Sequence, residues 1–192
     1  MCTYRQYWLM SIDSPLQHLK RMASTLRGVA VGTLSATDEE LRASLCSDQH
    51  TDQANARWAE ADWFFGGYSV ILSSFIETVM TEVLKAAGAD LDQSYRWANL
   101  RKAFEKVGCC RLDQVAHYEE VVQVRELANS FKHNNFQVSP KLAEVSDHKE
   151  GERLGFLLEP WDTLVDATES FLKDLLDTLP GLESPMPITV KH

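Results

Sequence analysis

The sequence predicts an all-α protein, an up-and-down bundle of about four main helices with a helical N-terminal extension. Three observations predict this. Apolar residues recur at helical period over long stretches, no run alternates convincingly with period two, and helix start and stop signals bracket the periodic stretches. The expected division is an extension over residues 1–60, a bundle over 61–180 and a flexible tail over 181–192.

The first helix is expected to start at "SPLQ". Ser14 can cap, Pro15 suits the first helical position, and Gln17 completes a capping box. It runs to about Leu26, where Gly28 and Gly32 allow an exit. A second start signal is "TDEE", with Thr37 as cap and Glu40 reciprocating. Asp38 and Glu39 favour the positive end of the helix dipole. That short helix ends near Cys46, and "SDQHTDQ" reads as a loop.

From about Asp52 to Ala87 the helical period is strongest. Leu72, Phe75, Ile76, Val79, Met80, Val83 and Leu84 make one wide stripe. Gly66-Gly67 interrupts it: either the helix kinks there or another backbone approaches closely. "AAGAD" ends the helix, with Gly88 near the position that favours left-handed backbone.

A shorter helix is expected over Ser94–Val107, with Trp97, Leu100, Phe104 and Val107 on one face. "GCCRLD" reads as a turn. A long helix follows from about Asp113 to Lys132, with Val121, Val124, Ala128 and Phe131 as its stripe and His117 extending it by a turn. "NNFQVSP" breaks that helix. "KLAEVSDHKEGER" is a polar connection holding a short helix or an excursion of extended chain. The last helix runs from Trp161 to Leu179, with Leu164, Val165, Thr168, Phe171, Leu172, Leu175 and Leu176 inward. "PGLESPMPITVKH" reads as a flexible or docked end.

Composition bounds the function. A chain of 192 residues suits one domain able to bury a core without staples. Its formal net charge of −9 disfavours non-specific nucleic-acid and anionic-membrane binding. Charge is unevenly spread, since Arg96, Arg101, Lys102, Lys106 and Arg111 face one anion, Glu105, in the same stretch. That segment is either a solvated helix face or a local anion-binding strip. Cys2, Cys46, Cys109 and Cys110 form no C-x-x-C and no zinc spacing, which suggests reduced thiols in the cytosol. The start lacks the pattern of a signal peptide, and "YSVILSSFIETVM" is short for a bilayer span. No metal, cofactor or membrane is expected.

The stretch "RELANSFKHNN" carries the functional question. A helical step of about 100° sets Asn129 about 40° and His133 about 80° round from Arg125, so the three form a polar edge beside the apolar stripe. Glu77 sits similarly on the 52–87 helix. A carboxylate there needs a partner, and Arg125 or Asn129 across the bundle would serve. The plain reading is structural: His133 and Lys132 complement a helix C-terminus, and Arg125 pairs with Glu77.

In the order of these features the chain resembles the HEPN superfamily of small helical proteins. A long helix carries a mid-helix Glu in "SSFIETVMTEVL", a shorter basic helix follows in "NLRKAFEKVG", and the next helix ends in "ANSFKH". The resemblance covers residues 61–179. The family motif is Arg and a polar residue, then His after four to six residues in all. Asn129 and His133 match its commonest form, but Ala128 stands where the Arg would be. With Arg125 as the motif Arg, seven residues intervene and Glu126 takes the polar position.

The resemblance implies a metal-independent ribonuclease of toxin–antitoxin or phage-defence type, working as a symmetric homodimer without a cofactor. In such a protein a 2′-hydroxyl attacks the adjacent phosphorus and the leaving 5′-oxygen is protonated. His133, Asn129 and Arg125 would be catalytic, Glu77 supporting, and Arg101, Lys102, Arg111 and Lys132 would bind RNA. An antitoxin or another protein would be its partner. The alternative is a HEPN-like module without catalysis that binds a partner protein, a nucleotide or RNA.

Overall fold

A computed structural model describes residues 3–43, 48–91 and 96–184. They form six α-helices: α1 (Tyr4–Ala43), α2 (Asp48–Ala86), α3 (Trp97–Val107), α4 (Tyr118–His133), α5 (Pro140–Glu144) and α6 (Trp161–Asp177). Among the described residues there is no strand, only an isolated bridge between Gln137 and Arg153. The all-α bundle expected from the periodicity is the observed architecture.

Helix directions follow from which residues meet. Arg5 pairs with Asp177 and Glu183, Asp13 with Lys173, Lys20 with Asp166 and Glu169, and Arg27 with Asp162. Rising numbers on α1 meet falling numbers on α6, so these two are antiparallel. Phe131 of α4 meets Gly66 of α2 and Arg125 meets Glu77, so α2 and α4 are antiparallel too. Phe65 stacks on Trp161 at 5.9 Å, and Gly181 lies beside Ala87. Thus α2 and α6 run parallel across the bundle, and the order around it is α1, α2, α4, α6.

The α1 helix begins at Tyr4, well before the expected start at Ser14, and Pro15 lies inside it. Local signals there are outweighed by docking on α6. Ile12, Leu16 and Leu19 are buried, each worth about 1.5–3 kcal/mol, against about 3 kcal/mol for an interior proline. The ion pairs are mostly exposed, and such pairs add about 0–1 kcal/mol each. The expected exit at Gly28 and Gly32 is not taken, and Thr37 falls within α1. Helix α2 already starts at Asp48, inside the expected loop, and the division expected at residue 60 falls within it. Cys46 and Ser94 lie outside the described residues.

The Gly66-Gly67 pair neither breaks α2 nor admits another backbone. A Cβ on Gly66 would lie 2.1 Å from Cδ2 of Phe131, so an aromatic ring occupies that space. The predicted α2 stripe is buried apart from Phe75, which is partly buried, and Phe65 and Tyr68 extend it. The Tyr68 hydroxyl donates to the Leu19 carbonyl at 3.0 Å. The stretch Ala59–Ala86 is long and apolar enough to cross a bilayer by composition, but 56% of its apolar 18-residue window is buried in the bundle, as in a core helix.

Helix α4 starts at Tyr118, not near Asp113. Residues Leu112–Gln114 form a 3-10 turn, and His117 is exposed in the left-handed region with φ 61°. It therefore does not extend the apolar stripe. The turn is fixed by the Ala116 N–H, which donates to Asp174 Oδ2 at 2.8 Å. The polar connection holds both expected alternatives. Ser139 caps α5 by accepting from the Leu142 N–H, and Val138 and Leu154 pair by backbone with Glu152 and Phe136. The tail is docked as far as Ser184, with Leu182 buried and the Ser184 carbonyl accepting from the Tyr4 N–H. Residues 185–192 lie outside the described ones.

Candidate functional site

The polar edge of α4 sits at the seam with α2, roofed by the first residue of α3. Arg125 Nη1 donates to Glu126 Oε1, and its Nε lies 3.9 Å from Glu77 Oε1. Asn129, one turn on, donates from Nδ2 to the other oxygen of Glu126 at 3.3 Å. The Glu126 side chain is only 5% exposed, so it depends on these two donors. Trp97 stands over the guanidinium, its ring centroid 5.7 Å from Arg125 Cζ, and Trp97 in turn approaches Tyr118.

This arrangement occupies the cation. Two carboxylates and an indole face bound Arg125, so its charge is compensated within the fold. Burial pushes the Glu77 carboxyl above its ordinary range, while Arg125 and then Lys132 oppose that shift. A phosphate reaching Arg125 would have to compete with both acids.

The remaining predicted residues are spread out. His133 ends α4 and is exposed, with no hydrogen-bond or ion-pair partner among the described residues. Lys132 beside it is also exposed. Ala128, standing at the position of the motif Arg, has no exposed surface. In the basic segment, Arg101 pairs with Glu105 at 3.2 Å and approaches Asp113 at 3.8 Å, while Arg111 also pairs with Asp113. Asp113 lies just past that segment and neutralises its end. Lys102 is exposed.

Sequence reasoning missed three features. The first is Glu126, the acid on which Arg125 and Asn129 converge; its signal was the Arg directly before it and the Asn three residues later. The second is the exit from α4. Asn135 and Phe136 both have positive φ, and Phe136 is held there by Trp63, Phe131 and Phe156, with ring centroids 5.3–5.7 Å away. The third lies at the start of α6, where His148 Nε2 is 2.5 Å from Oε1 of Glu159, itself 3% exposed. Burial pushes that carboxyl up and His148 opposes it.

Among the described residues no group of three His, Cys, Asp or Glu side chains could hold a metal ion, and Cys109 and Cys110 are free thiols. Comparison with family models, with curated proteins and with solved structures finds no match to this chain.

Proposed function

We propose that the chain is a HEPN-like helical module that acts by binding a partner protein, with the polar edge of α4 serving the fold rather than RNA cleavage. The observation that carries this is the engagement of Arg125 by Glu77 and Glu126. A ribonuclease of this type needs a cation free to meet charge developing on phosphorus. The position of the motif Arg is taken by a fully buried alanine, which offers no substitute. Net charge of −9 and the pairing of Arg101 and Arg111 with acids favour a protein over a nucleic acid as partner. The cytosol suits its reduced thiols.

One observation favours the second reading, metal-independent RNA cleavage. His133 is exposed and has no partner among the described residues, so a substrate has access to it. There His133 would move the proton, Asn129 would position the substrate, and Lys102 and Lys132 would hold phosphates.

The test is incubation of the purified chain with mixed RNA, wild type beside His133→Ala. The binding reading expects intact RNA with both proteins at high protein concentration. Cleavage by wild type that His133→Ala abolishes, at unchanged thermal stability, would establish the second reading instead.

A further inference from the structure

The exit from α4 holds more than a turn requires. Asn135 and Phe136 both lie in the left-handed region, with φ 48° and 65°. Asparagine tolerates that conformation, but for a bulky aromatic residue it is strained. The strain achieves a placement. Phe136 turns back against Trp63, with ring centroids 5.3 Å apart and planes at 69°, and Phe131 meets the same indole edge-on at 5.1 Å. These two contacts fix the indole within the chain, yet Trp63 is still 61% exposed. An aromatic ring held in one orientation and open to solvent loses little freedom on meeting an apolar group. Tryptophan so held is a frequent energetic anchor of interfaces.

Charge is the second, independent observation. Arg153, joined to Gln137 by the isolated backbone bridge, sets its guanidinium 6.0 Å from the centre of the Phe136 ring. Lys132 directly follows Phe131, is exposed, and lies near enough to the α2–α4 seam to act on Glu77. One cation therefore stands beside each of the two rings that hold Trp63. Elsewhere Arg5, Lys20, Arg27, Arg101 and Lys173 pair with acids. Lys132 and Arg153 have no ion-pair partner among the described residues.

From these we infer that the α4 exit docks an acidic peptide segment of a partner protein, one apolar side chain lying on Trp63 and a carboxylate to either side of it meeting Lys132 and Arg153. This rests on the partner-binding reading and gives that partner its chemistry. The charge pattern separates a peptide from RNA. Each added nucleotide brings another phosphate towards a chain of net charge −9, and RNA needs a continuous strip of cations. A peptide needs carboxylates at two points only. Glu60, exposed one turn before Trp63, bounds the surface on the α2 side and repels anions there. Exposed ion pairs are weak, so the covered indole face supplies most of the affinity while the two cations select the partner.

The test is binding of a short fluorescent peptide, one phenylalanine flanked by glutamates, to the full chain, read by anisotropy. Saturable binding is expected, weaker at high salt and lost when alanine replaces the phenylalanine. Trp63→Ala is expected to abolish it. Lys132→Glu and Arg153→Glu, at exposed sites, are each expected to weaken it on the order of three- to tenfold at the wild-type thermal midpoint. Lys106→Glu, the same charge change at an exposed site on α3, leaves it unchanged. No saturable binding by wild type up to about 1 mM peptide overturns the inference. So does binding that survives both charge reversals, or that Lys106→Glu weakens equally. If the peptide fails to bind and mixed RNA stays intact, only this surface is lost and the partner-binding reading stands. A single-stranded oligouridylate that binds in the peptide's place, and loses affinity in the same variants, overturns both together.

Discussion

Arg125 Nε lies 3.9 Å from Glu77 Oε1 across the seam between α2 and α4, while the same guanidinium donates to Glu126 on its own helix. One cation thus serves two carboxylates, one of them almost fully buried. This relationship decides how the polar edge is read, and it makes the edge testable through stability.

Arg125→Met is expected to destabilise the chain by about 2–3 kcal/mol, because it strands the buried Glu126 carboxylate. Arg125→Lys is expected to recover part of that loss, since an ammonium keeps the charge but not the planar fork. Urea unfolding measures both. A loss below about 0.5 kcal/mol for Arg125→Met, the size typical of neutral surface changes, would contradict the structural role.

Ala128→Arg tests whether the motif can be restored. Ala128 is fully buried, so the substitution drives a long charged side chain into the bundle. The expected outcome is a loss of more than about 3 kcal/mol, or failure to fold. A well-folded variant with thermal stability near wild type would show that this position can reach solvent.

Gly66→Ala is expected to cost about 1–3 kcal/mol through collision with Phe131, despite the better helix propensity of alanine. Its thermal midpoint should rise towards wild type when Phe131→Leu is added. Equal midpoints for Gly66→Ala and wild type would contradict the packing described between α2 and α4.

The pH dependence follows from Glu159. Burial raises its carboxyl above the ordinary value of 4.5, and His148 opposes the shift. The folded state therefore holds this proton more tightly than the unfolded state does. Its contribution is fully present below that ordinary value and is lost as pH rises through the raised value. Glu77 acts in the same direction. Glu169 acts oppositely: Lys173 and Lys20 hold it low, so its contribution is present above 4.5 and lost as pH falls through its lowered value. Urea unfolding at a series of pH values should show a smaller loss from about pH 4.5 towards neutrality in Glu159→Gln than in wild type. Equal pH dependence in the two proteins would contradict this assignment.

The bundle was legible where one apolar face determines a helix. The stripes Leu72–Leu84 and Leu164–Leu176 follow from period alone, because each side chain meets the core once per turn. The start of α1 was not legible. Ser14-Pro15 has the chemistry of a helix N-terminus, but contacts with residues some 150–180 positions away extend the helix past it. His117 was misread because apolar spacing carries no information about a left-handed residue. The site was legible as a polar edge and as an Arg125–Glu77 pair. Glu126 was not, since a single-faced helix leaves its flank to solvent, whereas α4 is packed widely enough to bury Glu126 and Ser130 as well. Nor does sequence spacing reveal that Asp113 takes up the charge of Arg101 and Arg111.

The most direct test of the claim that Arg125 is spent within the fold is a double-mutant cycle between Arg125→Met and Glu126→Gln, read by urea unfolding. The expected coupling is about 1–3 kcal/mol, with the double variant more stable than the sum of the single losses implies. Losses that add to within about 0.5 kcal/mol would contradict it and leave Arg125 available for another task.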